Sequence, residues 1–280
     1  MRCIERVVEQ SPSVLAGKRI VITRPVQLTR PLTEALRVRG AEPILLPVVR
    51  IEPPLDFHQL DDALSELHQR KFEWIIFGSQ NAVHAITERA LQIDLNLGEV
   101  LPSLKVAAVG KASAAAAEEA GFHVTCIGKG TGADLIAELA PGMHGKHVLL
   151  PRSDRAGAAH FAQLHLAGAH VREVVAYRTV CAETLDPSSV AASADADAIL
   201  FFSPSAVHAF LALVEHGVLP PIADSTGIGA IGPVTKENLL KEAKMRCDFE
   251  AEEPSIDQIV SALEFFLQKG RTSSAGAPAR

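Results

Sequence analysis

Short apolar runs alternate along the chain with stretches of helical periodicity. Runs of four or five largely apolar residues predict buried strands, and they lie at residues 20–23, 74–77, 106–110, 123–127 and 148–151. Helical spacing follows several of these runs, at residues 80–91, 111–120 and 133–139. Gly40 and Gly168 stand where the C-caps of helices are expected. Apolar strands that alternate with helices predict an α/β protein whose parallel sheets are covered on both faces.

The same pattern occurs twice, because the chain contains an internal repeat. Residues 72–86 align without a gap to residues 196–210, with seven identities in fifteen positions and a shared Ala-Val-His-Ala. Three further pairs of segments repeat in the same order: 17–25 with 145–153, 106–120 with 229–243, and 131–139 with 254–263. The repeat therefore predicts two similar lobes.

Two short repeat units, 17–51 and 145–179, have the pattern strand–helix–strand, and two longer units, 72–140 and 195–268, have three strands and three helices. One short and one long unit together give a sheet of five strands. Contiguous pairing would give two consecutive domains, whereas crossed pairing would nest one domain inside the other. The repeat leaves both arrangements open. Residues 48–54 and 174–180 are the candidate linkers in either case.

Composition and charge restrict the kind of partner. The 280 residues, with 48% hydrophobic and 21% charged, suit about two globular domains. A net charge of −6 argues against a nucleic-acid partner but allows an anionic ligand in a local pocket. We expect no membrane partner and a cytoplasmic location, since no apolar run approaches about 18 residues and the N-terminus has no signal-peptide pattern. The four cysteines are far apart and form no CxxC, so neither a zinc site nor a disulfide framework is indicated.

Candidate chemistry lies in the loops that follow the strands. Ser79, Gln80 and Asn81 follow one apolar strand, and Ser203 and Ser205 follow its repeat. Hydroxyl and amide groups beside the free N–H groups of a helix start are suited to an anion. The alternative is plain N-capping by serine.

Two more loops and two arginines extend this set. Gly110 and Lys111 follow the next strand, as Gly232 and Thr235 do in the repeat, but neither loop matches a nucleotide-binding motif. Arg24 and Arg152 end the first strand of each short unit, where an arginine would bind a carboxylate or form a surface salt bridge.

Tyr177 is the single tyrosine of the chain and falls in a candidate linker. Such a residue either packs or offers its phenol to a ligand as a donor. His84 and His208 lie four residues into their helices and are expected to be packed or solvated. The residues themselves thus predict two α/β lobes with anion-binding loops, without naming a substrate.

The order and spacing of several segments resemble the uroporphyrinogen-III synthase family. The resemblance covers most of residues 17–268, and its segments are VITRP at 21–25, WIIFGSQNAV at 74–83, VVAYRTV at 174–180, ILFFSPSAV at 199–207 and GAIGPVTKENL at 229–239. The sequence departs from the family at Lys244, where a glycine often follows the helix, and in an extension before Gly17.

The resemblance implies two flavodoxin-like parallel-sheet domains, joined by a two-strand linker hinge, with one domain inserted in the other. The first domain would comprise 17–50 and 178–270, and the inserted domain 51–177. Residues 1–16 would form an N-terminal extension and 271–280 a disordered tail. The family implies a monomer that needs no metal or organic cofactor and binds its substrate between the lobes.

The family's substrate is hydroxymethylbilane, a linear tetrapyrrole with eight carboxylate side chains, which is dehydrated and cyclised with inversion of ring D. Tyr177 matches the linker tyrosine of the family and is expected to assist departure of the hydroxyl group. The expected carboxylate anchors are Ser79, Gln80, Asn81, Gly110, Lys111, Ser203, Ser205, Gly232 and Thr235. Arg24 and Arg152 are expected as auxiliary charges.

Two other functions fit the same pattern. The loops of a non-catalytic, cytoplasmic binding or regulatory module would hold a small anion in the same way. A degenerate domain would keep the fold for contacts with a partner. The isomer formed from hydroxymethylbilane discriminates between these functions and the synthase.

Overall fold

A computed structural model describes residues 13–99, 101–128, 131–155, 162–252 and 254–274. The chain divides into two units: one comprises the chain up to Val49 and from Cys181 onward, and the other is Arg50–Val180. We call them the first and the second unit. Residues 1–12 of the predicted extension and 275–280 of the predicted tail lie outside the described residues.

The described strands follow the apolar runs closely. They are β1 (Arg19–Ile22), β2 (Glu42–Leu45), β3 (Val49–Glu52), β4 (Trp74–Phe77), β5 (Lys105–Val109), β6 (Val124–Gly128), β7 (His147–Ser153), β8 (His170–Cys181), β9 (Ala198–Phe201), β10 (Gly227–Ile231) and β11 (Phe249–Ala251).

Helices connect most of these strands. They are α1 (Arg30–Val38), α2 (His58–His68), α3 (Gln80–Gln92), α4 (Gly110–Glu119), α5 (Gly132–Leu139), α6 (Ala162–Leu166), α7 (Pro187–Ser193), α8 (Pro204–Glu215), α9 (Pro233–Glu237) and α10 (Ile256–Ser274). A π-helical turn, Asn238–Glu242, continues α9, and short 3₁₀ turns lie at Val26–Leu28, Leu97–Glu99, Leu101–Ser103 and Ala140–Gly142.

Each unit is built on a sheet. The first sheet has the order β11-β10-β9-β1-β2, and its neighbouring strands are parallel. The second has the order β3-β8-β7-β4-β5-β6, with parallel pairing from β8 through β6. The predicted α/β class with parallel sheets is confirmed.

Apolar side chains cover both faces of each sheet, as the continuous runs predict. In β1, Val21 belongs to one buried cluster, whereas Ile20 and Ile22 belong to another. In β4, Ile75 and Ile76 divide between two clusters in the same way. Successive strand residues point to opposite faces, so a strand buried on both sides must be apolar throughout.

The second sheet has six strands instead of the expected five, because the predicted linker at residues 48–54 forms a strand. This strand, β3, pairs with β8, which contains the other predicted linker. Arg178 of β8 donates from Nε to the carbonyl oxygen of Pro53 at 3.0 Å, and its NH2 lies 2.8 Å from Glu52 Oε2. The two linkers are therefore paired.

The ends of the described chain also differ from expectation. Leu15, inside the predicted extension, is fully buried in the core of the first unit. Helix α10 continues to Ser274, whereas a disordered tail was expected from residue 271. Once formed, a helix gains one backbone hydrogen bond for each added residue, which favours this continuation. No helix among the described residues is both long and apolar enough to cross a bilayer.

Candidate functional site

The two repeated serines have the same geometry. Ser79 has φ −161° and ψ 158°, and Ser203 has φ −163° and ψ 156°. The Ser79 hydroxyl accepts a hydrogen bond from Ala82 N at 3.3 Å, and the Ser203 hydroxyl accepts one from Ala206 N at 3.2 Å. Both serines are thus N-caps, and a serine hydroxyl that accepts at a helix start can also act as a donor. Capping and anchoring are compatible.

Gln80, Asn81 and Ser205 lie in the first turns of α3 and α8, and their side chains are half-buried. The first amides of a helix have no partner within the helix, and the helix dipole favours negative charge there. The sequence-predicted polar residues are therefore at the helix starts, as an anion site requires.

The two glycine loops leave open space beside their Cα atoms. Gly110 has φ +73° and Gly232 has φ +88°, a left-handed conformation that favours glycine. A Cβ atom added at either glycine would meet nothing within 4 Å. Backbone conformation therefore requires these glycines, and a ligand can approach the peptide groups closely. Lys111 is exposed beside Gly110, whereas Thr235 is buried, with 3% of its surface accessible.

Tyr177 is buried, with 8% of its surface accessible. Its phenol oxygen lies 2.9 Å from Ser79 Oγ. Burial raises the pKa of Tyr177, while hydrogen bonds with Ser79 and Asn81 oppose part of that rise. The phenol is therefore protonated at neutral pH and forms one polar cluster with two of the predicted anchors in the second unit.

Asp154 and Thr179 belong to the same region and were not predicted. Thr179 N donates to Asp154 Oδ1 at 3.0 Å, and Ser153 Oγ lies 3.3 Å from Thr179 Oγ1. The negative charge of Asp154 also raises the pKa of Tyr177. A register shift after Arg152 in the β7–β8 pair brings these residues together, and no sequence motif announces such a shift.

The two predicted arginines differ in their partners. Arg152 Nε lies 2.8 Å from Glu173 Oε2, so this arginine forms the ion pair that was the alternative to ligand binding. Arg24 lies over the ring of Phe202, 4.8 Å from its centroid. Burial lowers the pKa of Arg24 to about 10.

The histidines do not join these residues. His84 and His208 are exposed, as expected, and His208 Nε2 lies 3.0 Å from Asn238 Nδ2. Within the described part of the chain, no group of three or more His, Cys, Asp or Glu side chains is placed to hold a metal ion.

Known proteins share this sequence pattern. A family model described as uroporphyrinogen-III synthase HemD matches residues 30–261. The uroporphyrinogen-III synthase of Synechococcus elongatus is 29% identical over 257 residues, which is 89% of this chain and 96% of that protein. A porphyrin biosynthesis protein HemD of Ruminiclostridium josui is 28% identical over 144 residues, 51% of this chain and 25% of that protein.

Solved structures share the fold. A mutant uroporphyrinogen III synthase of the extremely thermophilic bacterium Thermus thermophilus superposes with a TM-score of 0.60 at 19% identity, covering 90% of this chain and all of that one (100%). The enzyme of Helicobacter pylori 26695 gives a TM-score of 0.58 at 18% identity, covering 89% of this chain and 99% of that one. Since the family model spans most of the described residues, the chain belongs to the uroporphyrinogen-III synthase family.

Proposed function

We propose that this chain converts hydroxymethylbilane to uroporphyrinogen III, as a cyclising lyase of tetrapyrrole biosynthesis. The family match over residues 30–261 carries this proposal. Paired serine turns and paired glycine turns, one of each in either unit, support it, because a degenerate copy would have no reason to keep both. The test is to supply hydroxymethylbilane and identify the isomer formed.

The reaction needs positioning more than reactive side chains. Loss of the hydroxyl group from ring A gives an electron-poor azafulvene, and ring D attacks it through its substituted carbon to form a spirocyclic intermediate. That intermediate fragments and closes again at the free carbon. Without a protein, the azafulvene closes directly and gives the symmetric isomer. The enzyme must therefore hold ring D so that the spirocyclic route is faster.

Carboxylate anchors would do this holding. Each unit offers a capped helix start, at Ser79 and Ser203, and an open glycine turn, at Gly110 and Gly232. Backbone amides and hydroxyl groups bind carboxylates without requiring a basic surface. This agrees with a net charge of −6 in a protein that binds a polyanion.

Tyr177 would assist departure of the hydroxyl group. Its raised pKa keeps the phenol protonated, which is the form that can donate a hydrogen bond to a leaving oxygen. The contact with Ser79 fixes the position of the phenol beside a predicted anchor. Positioning of ring D remains the larger contribution in this account.

We also propose a cytoplasmic monomer with no nucleic-acid or membrane partner. The three cysteines that the structure describes, Cys126, Cys181 and Cys247, are free thiols, which suits a reducing compartment. The negative net charge opposes attraction to nucleic acid and to anionic lipid surfaces.

A further inference from the structure

Arg24 and Arg152 are equivalent in the internal repeat, yet they have different partners. Arg24 follows β1, and Arg152 lies near the end of β7, the first strand of the other short repeat unit. Arg152 has the carboxylate of Glu173 at 2.8 Å. Arg24 has no carboxylate within ion-pair distance among the described residues. Its buried Nε atom has no hydrogen-bond acceptor there, which is equally true of the Nε atom of Arg152, so the ion pair with Glu173 is what distinguishes the two arginines.

Strand register explains the difference. Glu173 lies opposite Leu150 in the β7–β8 pair. The equivalent position in the β1–β2 pair lies opposite Ile22, and it is occupied by Leu45. The repeat thus has a carboxylate beside one arginine and an isobutyl group at the same place near the other.

The surroundings of Arg24 hold the guanidinium in place. Phe202 lies beneath the guanidinium, and both Phe202 and Leu45 pack against the same apolar cluster as Ile22. A desolvated N–H group without an acceptor costs free energy, and the cost is larger for a charged donor. Even with its lowered pKa of about 10, the side chain is a cation at neutral pH. A carboxylate supplied by a ligand would remove this cost.

We propose that Arg24 binds one carboxylate side chain of the tetrapyrrole, as Arg152 binds the carboxylate of Glu173. Leu45, at the position equivalent to Glu173, offers Arg24 no carboxylate of its own. The inference rests on the proposed function and deepens it, because it assigns a charged, substrate-selecting contact to the first unit. Phe202 contacts the guanidinium of Arg24, and a guanidinium matches a carboxylate in geometry as well as in charge.

The first test compares Arg24→Gln and Arg24→Lys with Arg19→Gln. Arg19 is a matched control, because it begins β1, the strand that Arg24 follows, and pairs with Asp195. We expect Arg24→Gln to raise KM for hydroxymethylbilane about tenfold to a hundredfold with a smaller change in kcat, the range typical for a lost charged hydrogen bond. Arg24→Lys should recover part of the affinity, and Arg19→Gln should leave KM unchanged.

The second test supplies the missing carboxylate. Leu45→Glu should pair with Arg24 and compete with the substrate, raising KM as Arg24→Gln does, while Leu45→Gln controls for shape and polarity. In the double variant Leu45→Glu with Arg24→Gln, the two increases in KM should not add, because each single substitution already removes the same contact between Arg24 and the substrate carboxylate. Thermal unfolding of each variant shows whether it is folded.

The outcomes separate the two proposals. A wild-type protein that yields only the symmetric isomer refutes the synthase function. A wild-type protein that yields uroporphyrinogen III, together with an Arg24→Gln variant whose KM stays within about twofold, overturns the role of Arg24 alone. If Leu45→Glu does not fold, the comparison of Arg24→Gln with Arg19→Gln still decides.

Discussion

Tyr177 is the residue whose setting most constrains the mechanism. Burial raises its pKa above the ordinary value near 10, so the phenol stays protonated through the neutral and mildly alkaline range. We expect Tyr177→Phe to lower kcat by less than the roughly hundredfold typical of an essential general acid. The rates of both proteins should have parallel pH dependence between pH 6 and pH 9, since the phenol does not ionise there. Unchanged turnover in steady-state assays would remove Tyr177 from the mechanism.

Lys244 has a conformation that suits glycine. Its φ is +54°, and Gly121, at the equivalent place in the repeat, has φ +88°. A lysine in the left-handed region costs about 1 kcal/mol, partly offset because glycine gains more freedom in the unfolded chain. Lys244→Gly should therefore raise the free energy of unfolding by about 0.5 kcal/mol in urea titrations. Gly121→Lys is the reciprocal control and should lower the free energy of unfolding. If Lys244→Gly were less stable than the wild type, the claim that Lys244 is strained would be contradicted.

These residues could be identified from the sequence, but their contacts could not. Tyr177 was singled out as the only tyrosine of the chain, in a candidate linker, and the family resemblance gave it a role. Its contact with Ser79, however, joins positions far apart in the chain. The difference between Arg24 and Arg152 depends on which residue lies opposite in the neighbouring strand. Register is a tertiary property, so the sequence could predict that the arginines are equivalent but not that their partners differ.

At the scale of elements, apolar runs predicted the central strands within a residue or two. Helix α2 was not predicted, although Leu60, Ala63, Leu64 and Leu67 are spaced as a buried helical face. That signal was available and was missed because the segment carries no repeat identity. Strand β3 is different, since the two prolines that follow it indicated extended chain but nothing local indicated that β8 would pair with it.

The hypothesis that helix starts bind the substrate's carboxylates depends on α3 and α8. Replacing Ser79 and Ser203 together with alanine removes two N-caps, which should cost about 1 kcal/mol each, and should also lower the affinity for hydroxymethylbilane. Thr131→Ala is the matched control, because Thr131 caps α5 through Asp134 N at 3.3 Å and is not a predicted anchor. It should lower stability without affecting KM. If the double variant kept wild-type KM, the anchoring role would be lost and capping alone would remain.

At the scale of the whole molecule, each unit has its own core. The four buried clusters divide without sharing a residue: two belong to the first unit and two to the second. Ala182 N donates to the carbonyl oxygen of Val48 at 2.9 Å, so the two chain segments that leave the first unit are adjacent. A unit with a complete core is expected to fold alone.

We therefore expect residues 50–180 to fold when expressed alone. The first unit should also fold when a short Gly-Ser linker joins residue 49 to residue 181, because the segments it joins lie side by side. Circular dichroism and thermal unfolding should show a cooperative α/β protein in both cases, and neither should convert hydroxymethylbilane. A fragment that is unfolded under conditions in which the full chain is folded would contradict separate cores.

The central claim is that the chain directs ring D through the spirocyclic route. The most direct test is to incubate freshly prepared hydroxymethylbilane with increasing amounts of the protein, oxidise the products and separate the porphyrin isomers. We expect uroporphyrin III to rise with protein until it displaces the symmetric isomer formed in buffer. If the symmetric isomer remained the sole product at every protein concentration, the chain would not direct ring D and would not be a synthase.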